Sequence, residues 1–166
     1  MRWLIDGYNV IRRDAELKAR ESESLEAGRA ALLALVARVA RDLPDSFTVV
    51  FDGARRAGAA QAGGRVQVIF SRPPASADDE LRRLAASLRD GAVVVSSDRA
   101  VQDATRRAGA VAVSAEQFLD AVDSASDEGA DDPDDDEADE PRRGQARRRS
   151  RAERAAERAL RRLRNR

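Results

Sequence analysis

Trp3-Leu4-Ile5-Asp6-Gly7, near the start, and Ala92-Val93-Val94-Val95-Ser96-Ser97-Asp98, much later, are the stretches that decide the fold. Each is a short apolar run that stops abruptly at an aspartate and a turn-forming residue, the signature of a strand feeding a turn. Ala92–Val95 is apolar throughout, as a strand covered on both faces should be. Three more runs fit between and after them. Phe47-Thr48-Val49-Val50-Phe51 again ends at Asp-Gly, Asp52-Gly53. Val66-Gln67-Val68-Ile69-Phe70 and Val111-Ala112-Val113 complete a set of five.

Helical periodicity separates these strands. Leu25, Leu32, Leu33, Val36, Val39 and Leu43 recur at helix spacing, and Pro44 stops that helix. After Pro73-Pro74, Ser76 and Asp79 form a capping-box variant ahead of a stripe of Leu81, Leu84, Ala85 and Leu88. Val101, Ala104 and Ala108 predict the inward face of the next helix, closed by Gly109. Ser114 and Gln117 open a helix carrying Phe118, Leu119 and Val122. Strands alternating with helices predict an α/β domain over residues 1–122. It is a three-layer α/β/α sandwich around a mostly parallel sheet of about five strands.

Charge divides the chain further. Its formal net charge is zero, yet residues 1–122 carry +1, residues 123–141 carry −11, and residues 142–166 carry +10. Residues 123–149, acidic and then basic, are expected to be a disordered linker. From Ser150 a capping box with Glu153 opens an arginine-rich helical tail, 150–166. Its apolar stripe is thin, so it is expected to form on a partner. Segments so asymmetric point to binding functions of their own. Twelve arginines in residues 142–166 are hard to attribute to composition.

Composition removes whole classes of chemistry. There is no cysteine and no histidine, hence no disulfide, no thiolate nucleophile, no imidazole base and no zinc site of the Cys/His kind. Carboxylates, arginines, Lys18 and Tyr8 remain. Hard oxygen ligands select Mg²⁺ or Mn²⁺. No Gly-rich loop leads into Lys-Ser/Thr, and no Gly-x-Gly-x-x-Gly follows the first strand. A receiver domain needs paired acids at the first strand and a lysine after the fifth. A haloacid-type phosphatase needs Asp-x-Asp where this chain has Asp6-Gly7-Tyr8. No apolar stretch is long enough for a signal peptide or a membrane span, so a cytoplasmic, membrane-free location is expected.

In a sheet of this type ligands bind beyond the carboxyl ends of the strands. Asp6, Asp52 and Asp98 stand at three of those ends, and Asp78 and Asp79 in the first turn of the helix after the third. Converging carboxylates repel one another unless a cation neutralises them. A divalent metal there would orient a water, lower its pKa and stabilise a phosphodiester under attack. Taken singly, each has a plainer reading. Asp-Gly is ordinary turn chemistry, Asp78 and Asp79 suit a helix dipole, and Asp98 suits an N-cap. Their coincidence on one edge favours the site. Asp103 is either an outer member or part of a solvated helix face. Arg55, Arg56, Arg65 and Arg72 are expected on loops leaving the same edge, where they grip phosphates or face solvent. Tyr8 and Phe70 are the aromatic candidates for stacking on an unpaired base.

Leu4-Ile5-Asp6-Gly7-Tyr8-Asn9-Val10-Ile11 resembles the opening signature of NYN domains, in the PIN-like nuclease group. Val50-Phe51-Asp52-Gly53, Ser76-Ala77-Asp78-Asp79-Glu80 and Val94-Val95-Ser96-Ser97-Asp98 resemble later blocks of the YacP-like branch, in order, over roughly residues 2–120. The resemblance implies a metal-dependent endoribonuclease, in some members acting on translated mRNA at the ribosome. It implies Asp6, Asp78 and Asp98 as catalytic, metal-binding acids oriented by Asn9; the residue pattern adds Asp52 and Asp79 as further metal ligands and Ser97 in support. The linker and the arginine tail lie outside the resembling blocks. Two other readings stay open: a non-catalytic RNA- or ribosome-binding adaptor, and a DNA structure-specific nuclease.

Overall fold

The computed structural model describes residues 1–53, 63–127 and 150–166. Five strands form one parallel sheet in the order β3-β2-β1-β4-β5. They are β1 (Arg2–Asp6), β2 (Ser46–Phe51), β3 (Val66–Phe70), β4 (Ala92–Val95) and β5 (Val111–Val113). The central strand β1 aligns Ile5 with Val49 on one side and with Val95 on the other. All five strands run the same way, so their carboxyl ends share one edge of the sheet and their amino ends the opposite edge.

Alternation along each strand sorts side chains between two cores. Trp3, Ile5, Phe47, Val49, Val93 and Val95 face one layer of helices. That layer comprises α1 (Gly7–Ile11), α2 (Ala15–Glu23), α3 (Leu25–Asp42), α6 (Ala115–Asp127) and α7 (Arg151–Arg164). Leu4, Val50, Ala92 and Val94 face α4 (Ala77–Leu88) and α5 (Arg99–Arg107). The expected three-layer sandwich is therefore present.

The two Asp-Gly pairs end their strands for different reasons. A Cβ at Gly7 would lie 2.2 Å from the Phe51 ring, so only glycine lets α1 start this close to β2. Gly53 has φ +95°, the left-handed region, and open space around it. The Ser76–Asp79, Ser114–Gln117 and Ser150–Glu153 caps all form.

Several local expectations change. Between β1 and the helix from Leu25, the chain makes two further helices, α1 and α2, capped by Asp6 and Asp14. Leu25 does not join the buried stripe and stays 48% exposed. The inward residues of α5 are Val101 and Thr105, with Ala104 and Ala108 partly exposed. Helix α6 continues to Asp127, five residues beyond the expected boundary at Val122.

The largest change concerns the tail. Its thin stripe finds its partner within the domain. Ala159, Leu160 and Leu163 of α7 are buried in the same core as Trp3, Phe118 and Val122. Polar bonds fasten the helix at both edges of that contact. Arg162 donates to Asp45 at 3.0 Å, and Arg166 donates to the Val122 carbonyl at 3.0 Å. Asp45 is buried and also accepts from the Met1 ammonium at 2.8 Å and from Trp3 Nε1 at 3.2 Å. Burial alone would raise its pKa. The bonds from Met1 and Trp3 and the nearby Arg162 charge outweigh that and hold it below the usual carboxylate range.

Candidate active site

The carboxyl edge of the sheet gathers Asp6, Asp52, Asp78 and Asp98 around one cleft of about 610 Å³, lined also by Tyr8, Asn9, Arg12, Arg13, Leu25 and Ala77. Asp6 is nearly buried. One oxygen caps α1 by accepting from Asn9 N at 3.2 Å, and the other accepts from Ser96 Oγ at 2.9 Å. Asp98 caps α5 by accepting from Val101 N at 3.0 Å, and its own N–H donates to Ser96 Oγ at 3.2 Å. Fully buried Ser96 thus ties the two acids together.

Asn9 Oδ1 accepts from Ser97 N at 2.8 Å, which pins the loop carrying Asp98. Ser97 supports in turn: its hydroxyl donates to Glu116 and accepts from Ala115 N. The Ser97 hydroxyl holds the Glu116 carboxyl below its ordinary range, with a lesser contribution from Arg13, which pairs with it at 2.9 Å. Asp52 Oδ1 accepts from Ser71 Oγ at 2.8 Å and from Ala77 N at 2.6 Å, so it anchors the helix that carries Asp78.

The electrostatics of the cleft are those of crowded carboxylates. Burial pushes the Asp6 carboxyl up to about 6; Asp78 and Asp52 add to that, while bonds from Ser96 and Asn9 oppose it. Burial raises Asp78 as well, followed by repulsion from Asp98, with Asp52 and Asp79 also contributing. Arg82, 3.7 Å away, offsets this in part. As they stand, no three carboxylates among the described residues close round a single metal position. The donor set nevertheless fits a hard divalent cation: oxygen ligands that repel one another, with Arg82 offsetting only part of the charge on Asp78.

Tyr8 lies on the cleft wall, its ring edge-on to Phe51 at 5.3 Å. Its hydroxyl accepts from the buried guanidinium of Arg29. That guanidinium sits 5.2–5.5 Å from the rings of Tyr8, Phe51 and Phe70, and its Nε has no hydrogen-bond partner. Phe70 therefore packs behind Tyr8 and does not line the cleft. Arg12 stands over the Tyr8 ring at 5.7 Å.

Other expected residues are not brought to the cleft. Asp79 is exposed, and both its oxygens are engaged, by the Ser76 backbone and hydroxyl and by Arg82. Asp103 pairs with Arg106 at 3.0 Å on a solvated helix face. Arg65 precedes β3 and so stands at the opposite edge of the sheet, where it donates to the Leu43 carbonyl. Arg72, just after β3, is exposed at the carboxyl edge. Arg55 and Arg56 lie outside the described residues.

Sequence reading passed over Ser96, Arg12, Arg13 and Leu25. The signal for Ser96 was register. Ile5 pairs with Val95, so the next step places Ser96 beside Asp6. Arg12 and Arg13 follow Asn9 by one helical turn, which brings them back over the cleft.

A parallel five-stranded sheet with helices on both faces, carrying its acids in a cleft at the carboxyl edge, defines the PIN-like nuclease type of NYN domain. The chain belongs to the YacP-like NYN domain family, whose profile matches residues 3–165. The match includes α7, beyond the limit at about residue 120 that the sequence blocks suggested. The uncharacterized protein YacP of Bacillus subtilis (strain 168) is 32% identical over 126 residues, covering 73% of this chain and 74% of that protein. A crystal structure of Rae1 (YacP) from Bacillus subtilis is 30% identical with TM-score 0.67, over 77% of this chain and 76% of that one. A mutant form of the same protein gives 26% and 0.61, over 80% and 86%.

Proposed function

We propose that this protein is a metal-dependent endoribonuclease that hydrolyses RNA phosphodiester bonds, with Asp6, Asp78 and Asp98 as the acids that hold Mg²⁺ or Mn²⁺. The observation that carries the reading is the convergence of these three and Asp52 on one cleft, with Asp6 and Asp78 both pushed up in pKa. An ion bound there supplies the charge that steadies a phosphodiester under attack and the means to activate water.

The chain's own groups have separable roles. Ser96 and Asn9 fix Asp6 relative to the loop of Asp98. Asp52 sets the start of α4 and with it Asp78. An unpaired base stacking on the Tyr8 ring takes the place that Arg12 now holds over it, which leaves the Arg12 charge for the adjoining phosphate. The ribosome as partner, translated mRNA as substrate and a cytoplasmic site of action rest on the family resemblance. No helix among the described residues is long and apolar enough to cross a membrane.

The test is incubation of the full chain with labelled RNA and labelled DNA in Mg²⁺, Mn²⁺ or EDTA. RNA cut in either metal and intact in EDTA is the expected result. Equal cleavage of DNA would favour the DNA nuclease reading. RNA bound but uncut in every metal would favour the adaptor. Faster cleavage of a transcript on ribosomes than of the same transcript free would support the ribosomal setting.

A further inference from the structure

The amino edge of the sheet, opposite the acids, carries a second cleft of about 1070 Å³. Arg151, Arg158, Arg161 and Arg162 line it from α7, and Arg106 lines it from α5. Asp90 is the carboxylate among the lining residues. Small and apolar side chains form the floor, with Leu43 from the end of α3, Val111 from β5, and Ala155 and Ala159 from α7. The placement follows from the fold. Ala159, Leu160 and Leu163 press α7 into the core, which turns Arg151, Arg158 and Arg162, spaced by seven and four residues, along the cleft.

Two of the five guanidiniums have carboxylate partners: Arg162 pairs with Asp45 and Arg106 with Asp103. Arg151, Arg158 and Arg161 are exposed and make no ion pair among the described residues. Like charges held together around a concave surface create a potential that an anion relieves. Guanidinium groups match phosphate oxygens in geometry as well as charge. The alanines between them leave depth for a backbone to enter.

We propose that this arginine-lined cleft is a second RNA-binding surface, which holds the phosphate backbone of the substrate at a distance from the cutting edge. The proposal rests on the RNA reading of the acidic cleft and adds where the rest of the RNA lies. Met1, just before β1, lines the basic cleft and Asp6, at its end, the acidic one, five residues apart or roughly 16 Å through the sheet. An RNA engaging both wraps around the domain, whereas an oligonucleotide of a few residues fills the acidic cleft alone.

The experiment measures binding of a single-stranded RNA of several tens of nucleotides to the full chain, in EDTA, across a series of salt concentrations. Turnover plays no part in it. The triple variant Arg151→Ala, Arg158→Ala, Arg161→Ala is expected to bind at least about tenfold more weakly at low salt. Its slope of log affinity against log salt should be shallower by about 2, from about 0.7 per phosphate released. The triple lysine variant should keep most of the slope. Arg154, exposed on the same helix but outside the cleft, is the control. Arg158→Ala should weaken binding several-fold more than Arg154→Ala. Equal affinity and slope in parent and triple alanine variant would overturn the proposal. So would equal effects of Arg154→Ala and Arg158→Ala, which would indicate diffuse charge. Loss of binding to polyglutamate with RNA binding unchanged would make the partner an acidic protein, and would also overturn it. Metal-dependent cleavage of a short oligonucleotide is measured alongside. Its absence in the parent counts against the nuclease reading, and its equality in parent and triple variant is expected here.

Discussion

The two edges of the sheet are opposites built the same way. At the carboxyl edge, strand ends and helix starts gather four aspartates. At the amino edge, two helices gather five arginines. Each cluster concentrates one sign of charge that the fold neutralises only in part, through Arg82 at the acids and through Asp45 and Asp103 at the arginines. They differ in how they are held. Asp6, Asp52 and Asp98 are fixed by hydrogen bonds to neighbouring backbone or hydroxyl groups, as a reacting centre requires. The arginines are exposed and long, suited to a backbone of variable path. Position is specified at the acids, and charge alone at the arginines.

The comparison breaks most visibly at the acids. Asp6→Asn or Asp98→Asn should lower metal-dependent RNA cleavage by about a thousandfold or more, roughly 4 kcal/mol of barrier. Circular dichroism should show the fold intact. Activity within tenfold of the parent would remove these residues from the site.

Next in size is the attachment of α7. Leu163→Ala empties a fully buried position shared with Trp3 and Phe118 and should cost about 2–5 kcal/mol of stability by urea unfolding. Leu25→Ala, at an exposed position, should cost less than about 0.5 kcal/mol. Equal losses would mean that α7 is not packed as described.

A third prediction concerns pH. The folded Asp6 carboxyl titrates near 6, above its ordinary value of 3.8, so between those values the folded state holds a proton that the unfolded state has released. Its contribution to stability is present in acid and is lost as pH rises through about 6. Asp6→Asn should therefore be more stable than the parent at pH 8 by about 1–2 kcal/mol, with little difference near pH 4. Cleavage should move the other way. It should fall as pH drops through about 6 and show no inflection from an imidazole. A stability difference between Asp6→Asn and the parent that is no larger at pH 8 than at pH 4 would contradict the crowding of the acids.

The smallest effect belongs to the cleft wall. Arg29→Lys keeps a charge but loses the fork beneath Tyr8, and should raise KM for short RNA about threefold with kcat little changed. A fall confined to kcat would assign Arg29 a different role.

Much of this was legible because strand ends are local. An apolar run followed by Asp-Gly or Ser-Ser-Asp announces both the strand and the acid at its tip, so Asp6, Asp52, Asp78 and Asp98 could be placed on one edge from sequence. Asp79 could not be separated from Asp78, because facing inward or capping differs by one residue of helical rotation. Arg65 was misplaced because a loop that leaves one edge must return to the other before the next strand. Ser96 needed the register of two strands far apart in sequence. The tail needed tertiary structure altogether: its few apolar residues among seven arginines announced a helix that forms on a partner, and only the fold shows that Trp3 and Phe118 of the same domain are that partner.

Whether the acidic edge takes a divalent cation is read out by calorimetric titration of Mn²⁺ into the full chain near pH 7.5. Saturable binding is expected in the parent, abolished in Asp6→Asn and retained in the Arg151→Ala, Arg158→Ala, Arg161→Ala variant. Binding of equal strength in the parent and in Asp6→Asn would contradict a cation site at the acidic edge.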